Sequence, residues 1–162
     1  MAAVIPDEEM FYRAAKSCWE SDWGADYELK KRGWQVIGRG STRTVYAKDG
    51  VAVKLANRQT FCDLNHEEYE IYGKYYKLRL FPKLLAVAKD FSWIAFVQLP
   101  LSATDGNISG FYTKNNEVAR ARFINRVQDK GFKFDNAQFN LARDATGHWK
   151  IVDLVGFCED KN

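Results

Sequence analysis

The sequence predicts an α+β fold built around a five-stranded antiparallel sheet, with one helix inserted after the third strand. Three short apolar stretches, at residues 34–37, 44–47 and 51–55, follow one another across glycine-containing turns, which is typical of successive hairpins. Residues 62–78 then carry apolar side chains at three- and four-residue steps, as a helix would.

The remaining elements follow from the same kind of pattern. Residues 84–88 and 93–97 predict the fourth and fifth strands. Asp7 and the acidic residues after it predict the start of a helix that runs to about Trp19, and residues 22–31 predict a connection or a short helix.

The C-terminal third predicts a connector, a helix and a hairpin. Residues 101–116 are polar and contain glycine, and residues 116–130 are helical in pattern, with Gly131 as a stop signal. The candidate core residues of this helix are Val118, Ala121, Phe123, Ile124 and Val127. Residues 139–142 and 150–153 predict the two strands of the hairpin.

Composition limits the classes of partner. The chain has 162 residues, of which 46% are hydrophobic and 15% aromatic, so it can build the core of one compact domain. The net charge is +3 and no basic run stands out, so we expect no nucleic-acid partner. No apolar run approaches the roughly 18 residues of a membrane span, and no signal peptide is expected. Cys18, Cys62 and Cys158 are far apart, which favours reduced thiols in a cytoplasmic protein over a disulfide framework or a zinc site.

A glycine-rich turn and a lysine lie one hairpin apart. Gly38 and Gly40 open the stretch GRGSTRTV, and glycines there would let backbone N–H groups approach phosphate oxygens. Lys54 ends an apolar strand and must send its ammonium to an anion or to solvent. An ordinary hairpin turn and an exposed strand end would explain the same residues.

Glu68, on the helix that follows, is the predicted partner of Lys54. Ile71 and Tyr72 come three and four residues later, which aims Glu68 toward the core. A buried carboxylate is costly unless it meets a cation, so an ion pair with Lys54 is expected. Glu67 is the nearest alternative, and a solvated acidic face would account for either glutamate.

Three polar residues near the C-terminus form the second half of the pattern. Asp135 and Asn140 stand five residues apart in a loop, where an aspartate can accept a hydroxyl proton and an asparagine carbonyl can bind Mg²⁺. Asp153 follows the apolar residues Ile151 and Val152 at the end of a predicted strand, where a carboxylate could also bind Mg²⁺. Turn formation alone would favour the same residue types.

In this order, the features resemble the protein-kinase-like superfamily over about residues 33–157. The stretch GRGSTRTV resembles the glycine loop GxGxxGxV, with Arg43 in place of the third glycine, and VAVK resembles the strand VAIK. Glu68 resembles its helix partner, Asp135 and Asn140 have the spacing of HRDxxxxN, and Asp153 resembles the aspartate of DFG.

The resemblance implies ATP and Mg²⁺ as cofactors and a role for each residue. Lys54 would hold the nucleotide phosphates, fixed by Glu68, while Asp135 would act as the catalytic base and Asn140 and Asp153 would hold the metal. The expected nucleotide-binding residues come from the glycine loop, the lysine strand and the hinge: Gly38, Gly40, Ser41, Val45, Lys54, Gln98 and Leu99.

The resemblance also implies a protein-kinase-like domain organisation within a single domain. Residues 1–32 would be an N-terminal helical extension, residues 33–100 the N-terminal lobe with its sheet and helix C, and residues 101–162 a severely shortened helical C-terminal lobe. The sequence stops before the family's activation segment and APE motif, as a minimal phage or mobile-element kinase would.

The sequence departs from the family at two motifs. Lys133 and Phe134 stand where the family has the histidine and arginine of HRD, so regulation through loop phosphorylation is not expected. Leu154 and Val155 follow Asp153, which delays the expected glycine to Gly156.

Three functions are compatible with these residues. The complete set of motif residues favours an ATP- and Mg²⁺-dependent Ser/Thr-type phosphotransferase acting on protein hydroxyls. The departures from HRD and the shortened lobe instead suit a pseudokinase-like module that binds and modulates a partner protein, of a host for example. A small-molecule kinase of aminoglycoside type ranks last, because that branch's histidine near the catalytic aspartate is absent.

Overall fold

A computed structural model of the chain describes residues 7–21, 24–102, 114–137 and 140–161. The chain divides into two compact units. The first comprises Met1–Tyr69 and Lys83–Gln98, and the second comprises Glu70–Pro82 and Leu99–Asn162. Within the described residues, no helix has the length and apolar content needed to cross a bilayer.

The first unit begins with two helices, α1 (Glu8–Glu20) and α2 (Gly24–Lys31). Asp7 caps α1, since its Oδ1 accepts hydrogen bonds from the backbone N–H groups of Glu9 (3.0 Å) and Met10 (3.1 Å). The predicted N-terminal helix is confirmed, and the polar stretch after it is a short helix rather than a plain connection.

The sheet of the first unit has five strands, and every pairing is antiparallel. Its order is β1-β2-β3-β5-β4, so the fifth strand lies between the third and the fourth. This sheet confirms the one predicted from the sequence. The strands are β1 (Gln35–Arg39), β2 (Arg43–Lys48), β3 (Val51–Ala56), β4 (Leu84–Val87) and β5 (Trp93–Val97).

A two-residue turn fixes the register between β2 and β3. Asp49 (φ 49°) and Gly50 (φ 80°) both lie in the left-handed region, as the common tight hairpin turn requires. Lys48 therefore pairs with Val51. Counting back along both strands places Val45 opposite Lys54.

Helix α3 (Cys62–Tyr75) follows the third strand, as predicted, and runs from the first unit into the second. A 3₁₀ turn, Gln59–Phe61, precedes it, and another, Tyr76–Leu78, follows it. The α-helix therefore ends at Tyr75, three residues earlier than its periodicity suggested.

Aromatic side chains pack α1 onto the sheet. Phe11 is fully buried and its ring meets Trp34 edge-on, with centroids 4.9 Å apart, and Trp93 at 5.7 Å. Trp19 donates its indole N–H to the carbonyl of Ala56 at 3.0 Å. Helix α1 and the sheet therefore contribute side chains to the same hydrophobic core.

Among its described residues, the second unit contains one long helix, α4 (Lys114–Asp129), which ends before Gly131 (φ 81°) as predicted. Phe123 and Val127 are buried on it. Val118 and Ala121, which the apolar pattern also placed in the core, are exposed, so the pattern was wrong for these two.

Short strands complete the second unit. The predicted hairpin is present as β8 (Leu141–Arg143) and β9 (Trp149–Ile151), and β6 (Leu101–Ser102) pairs with β8. The strands β7 (Phe132–Lys133) and β10 (Cys158–Glu159) also pair, which the sequence did not predict. Most of the predicted connector, residues 103–113, and Phe139 of the predicted hairpin lie outside the described residues.

An aromatic cluster forms the core of the second unit around Phe157. Its ring centroid lies 5.0 Å from that of Phe81, 5.2 Å from Tyr75 and 5.2 Å from Phe132. These rings join the end of α3 to β7 and to the segment that follows Asp153.

Candidate functional site

Lys54 and Glu68 form a buried ion pair within the first unit. The Lys54 Nζ donates to both carboxylate oxygens of Glu68, at 2.6 Å and 2.9 Å. Glu68 has no exposed surface, and the Lys54 side chain is 12% exposed. Of the two candidate glutamates, Glu68 meets the lysine, whereas Glu67 is exposed.

The alternation of side chains along strand β3 directs Lys54 away from the core that α1 covers. Alternation along β3 puts Lys54 on the opposite face from Val53 and Leu55, which are both fully buried in the core that α1 covers. The Lys54 ammonium also lies 5.3 Å from the ring centroid of Phe96, on β5, which favours a cation there.

Arg43 is a second cation on Glu68, which the sequence did not predict. Its Nη1 lies 3.1 Å from the Glu68 Oε2, and its side chain is only 9% exposed. Nη1 also donates to Oδ1 of Asn65 at 3.4 Å, and Asn65 in turn donates to the carbonyl of Phe91 at 2.8 Å. The Glu68 carboxylate is therefore bracketed by a guanidinium and an ammonium.

The register between β2 and β3 explains why Arg43 lies near Glu68. Residues two apart on a strand share a face, and residues opposite each other on paired strands share it as well. Because Val45 lies opposite Lys54, Arg43 is on the same face as Lys54. An arginine there can reach whatever carboxylate the lysine reaches.

The glycine-rich stretch forms a closed, tight turn. The backbone N–H of Gly40 donates to the carbonyl of Arg43 at 2.8 Å, and Ser41 lies exposed at the tip. Asn57 fastens the turn from the end of β3: its Nδ2 donates to the Gly40 carbonyl at 3.0 Å, and its Oδ1 accepts from the Thr44 hydroxyl at 2.8 Å. Of the other predicted loop residues, Gly38 and Val45 are half-buried members of β1 and β2.

Asp26 on α2 contacts Arg39, which comes directly before this turn. The carboxylate accepts hydrogen bonds from the Tyr46 hydroxyl (2.6 Å) and from Arg39, and Lys30 lies 3.6 Å away. Burial opposes ionisation of Asp26, but these hydrogen bonds and positive charges outweigh it and lower the pKa of the carboxyl. Burial and the hydrogen bond to Asp26 raise the pKa of Tyr46.

The second unit brings Asp135, Asn140 and the start of the Asp153 segment together. The Asn140 Nδ2 donates to the backbone carbonyl of Asp135 at 3.3 Å, so these two residues are in direct contact. The backbone carbonyl of Asn140 accepts a hydrogen bond from the backbone N–H of Val152, the neighbour of Asp153, at 2.8 Å. Asn140 is 3% exposed, Asp135 is exposed, and Asp153 is half-buried.

The predicted hinge residues lie where the chain passes from one unit to the other. The backbone N–H of Gln98 donates to the carbonyl of Gly50 at 2.8 Å, which ties it to the β2–β3 turn. Leu99, the first residue of the second unit after this passage, is 8% exposed.

The departures from the kinase motifs have local physical reasons. Lys133 is exposed and faces Asp160 at 3.7 Å, while the ring of Phe134 joins the aromatic cluster, 6.5 Å from that of Phe157. Leu154 is fully buried, and the turn after it places Gly156 at φ 80°, a conformation that favours glycine.

Asn140 and Asp153 each carry a side-chain oxygen of the kind that binds a hard cation. Both side chains offer oxygen ligands, and Mg²⁺ is commonly held by one or two such groups together with substrate phosphates. Within the described residues, no group of three or more His, Cys, Asp or Glu side chains forms a metal cage. The five predicted catalytic and metal-binding residues thus fall into two groups, one in each unit.

Comparisons with known proteins support the fold. No protein-family model matches the sequence, and no curated protein matches it. Solved structures do match, among them a co-crystal structure of WbdD with the kinase inhibitor LY294002, at 16% identity and a TM-score of 0.51 over 78% of this chain and 32% of that chain. A structure described as the bifunctional kinase-methyltransferase WbdD matches at 18% identity and a TM-score of 0.52 over 78% of this chain and 34% of that one.

These likenesses define a class of fold. The chain spans about a third of the length of the WbdD chains that it matches. At such identities the likeness concerns the arrangement of the backbone, which is kinase-like. The α+β architecture with its five-stranded antiparallel sheet agrees with that class.

Proposed function

We propose that the chain is an ATP- and Mg²⁺-dependent phosphotransferase of protein-kinase-like type that acts on protein hydroxyl groups. The buried Lys54–Glu68 pair is the observation that carries the proposal. A buried ion pair often stabilises a domain no better than well-packed apolar residues would, so its presence in this sheet supports a role in binding an anion. Kinase-like proteins use a lysine on the third strand in that role.

The other residues supply chemistry that fits this reaction. Asp135 is exposed and can accept the proton of a substrate hydroxyl. Asn140 and Asp153 would supply oxygen ligands for Mg²⁺, and a bound metal would neutralise charge on the phosphates. In such transfers most of the rate comes from positioning and electrostatic stabilisation, which these groups would provide.

A transfer assay with labelled ATP and MgCl₂ tests the proposal. The protein is incubated alone and with cell lysate, beside the variants Asp135→Ala and Asp153→Ala. Label transfer in the wild type that is lost in both variants supports the phosphotransferase. Asp129→Ala, at the end of α4, is the matched control and should keep the wild-type rate. Equal transfer in all four proteins would refute the assignment.

A pseudokinase-like binding module is the second candidate, and the closed glycine-rich turn favours it. The Gly40 N–H already donates to the Arg43 carbonyl, so in this conformation it is committed within the turn and not to a phosphate. Phe134 packs into the aromatic cluster and has no charge with which to bind a phosphate group on a loop. Nucleotide binding without transfer, together with a stoichiometric partner in a pull-down, would support this module over the enzyme.

A further inference from the structure

Glu68 is shared between cations from two neighbouring strands. Arg43 comes from the first residue of β2 and Lys54 from the middle of β3, and both reach the same fully buried carboxylate. Their distances to it are similar, 3.1 Å for the guanidinium and 2.6 Å for the ammonium. All three side chains belong to the first unit.

Sharing changes what happens when the lysine binds a phosphate. An ammonium that turns toward a phosphate weakens its contact with its carboxylate, and a buried carboxylate left without a cation is strongly destabilising. With Arg43 in place, Glu68 keeps a charge partner throughout. The lysine is then able to bind the nucleotide without leaving an uncompensated charge in the core.

Arg43 is suited to this task because its own position is fixed. Its backbone pairs with Ala56, and its carbonyl accepts the Gly40 N–H. Its Nη1 also donates to Asn65, which α3 supplies one turn before Glu68. A guanidinium has several donors in a rigid plane and stays charged, so it can hold two acceptors at once.

We propose that Arg43 is a positioning residue that keeps Glu68 paired and in place while Lys54 engages the nucleotide phosphates, and so takes a structural part that the third glycine of the kinase loop does not have. This inference rests on the proposed nucleotide-binding function. The inference adds to that function a direct ion pair, Arg43–Glu68, between the end of the glycine-rich turn and α3.

The first test is a double-variant cycle on stability, which needs no nucleotide. Urea unfolding midpoints are measured for wild type, Arg43→Met, Lys54→Met and the double variant. If Glu68 is shared, each single variant leaves one cation, and the double variant loses more than the two single losses combined. Strictly additive losses would overturn the shared-carboxylate claim. Arg39→Met combined with Lys54→Met is the matched control and should be additive, because Arg39 contacts Asp26 instead.

The second test separates positioning from general loosening. ATP with MgCl₂, and adenosine as a separate ligand, are titrated into wild type, Arg43→Met and Arg43→Lys. Positioning predicts about tenfold weaker ATP binding in Arg43→Met with adenosine affinity unchanged, because adenosine carries no phosphate for Lys54. Arg43→Lys, which keeps a cation, should recover most of the ATP affinity. Equal weakening of ATP and adenosine would show a merely structural role and overturn the proposal.

The two tests also separate this inference from the proposed function. If the wild type binds neither ATP nor adenosine, the proposed function fails, and the unfolding cycle alone decides whether Arg43 and Lys54 share Glu68. If the wild type binds ATP and the cycle is additive, nucleotide binding stands and the role of Arg43 is refuted.

Discussion

Glu68 Oε2 accepts a hydrogen bond from Lys54 at 2.9 Å and lies 3.1 Å from Arg43 Nη1, so one carboxylate oxygen is held from two strands. The carboxylate is wholly buried, and the two cations are nearly so. The stability of the first unit and the proposed binding of phosphate by Lys54 therefore both depend on the Glu68 side chain.

Removing the charge of Glu68 should destabilise the fold strongly. Glu68→Gln leaves two buried cations without their carboxylate, which costs about 3–5 kcal/mol when one partner of a buried pair is lost. Urea unfolding followed by circular dichroism measures the change. The neighbouring exposed residue gives the control, since Glu67→Gln should stay within about 0.5 kcal/mol of wild type. Similar losses in both variants would contradict the burial described for Glu68.

Asp26 should make stability depend on pH in the acid range. Its pKa is lowered in the folded state, so its ionic contribution is complete above the usual aspartate value of about 3.9 and is lost as the pH falls through the lower folded value. Unfolding free energies of wild type and Asp26→Asn, measured at pH 7 and pH 3, check this. The advantage of wild type at pH 7 should shrink at pH 3. An advantage that grows on acidification would mean that the folded-state pKa is raised instead.

Asn57 should control the opening of the glycine-rich turn. In Asn57→Ala, the Gly40 carbonyl and the Thr44 hydroxyl each lose a hydrogen bond, so the turn should open more often. Hydrogen exchange of the Gly40 amide, which donates to Arg43 in the wild type, measures this opening. We expect about tenfold faster exchange, which corresponds to about 1.4 kcal/mol. Unchanged exchange would show that the backbone alone closes the turn.

The architecture of the first unit could be predicted because local signals agree there. The Lys48–Gly50 turn, the alternation of β3 and the acidic cap at Asp7 each specify a short element without reference to distant residues. The Lys54–Glu68 contact could also be predicted, because an inward carboxylate on a helix requires a cation and the strand before it offers one.

The features that were missed depend on tertiary contacts. Arg43 stands where the kinase motif has a glycine, and a charged residue in a turn is normally exposed, so only the register with Lys54 reveals its burial. The two-residue strands Phe132–Lys133 and Cys158–Glu159 have no period that a sequence could show. Val118 fits the helical apolar pattern and yet is 46% exposed, since the pattern cannot tell how wide the covered face of α4 is.

The most direct measurement of the central claim is a calorimetric titration of ATP with MgCl₂ into wild type and Lys54→Ala, with Lys48→Ala as a lysine control on the neighbouring strand. Arg43 still pairs with Glu68 in Lys54→Ala, so the fold should persist while the phosphate contact is lost. We expect at least about tenfold weaker ATP binding in Lys54→Ala and wild-type affinity in Lys48→Ala. Equal ATP affinity in all three proteins would contradict it.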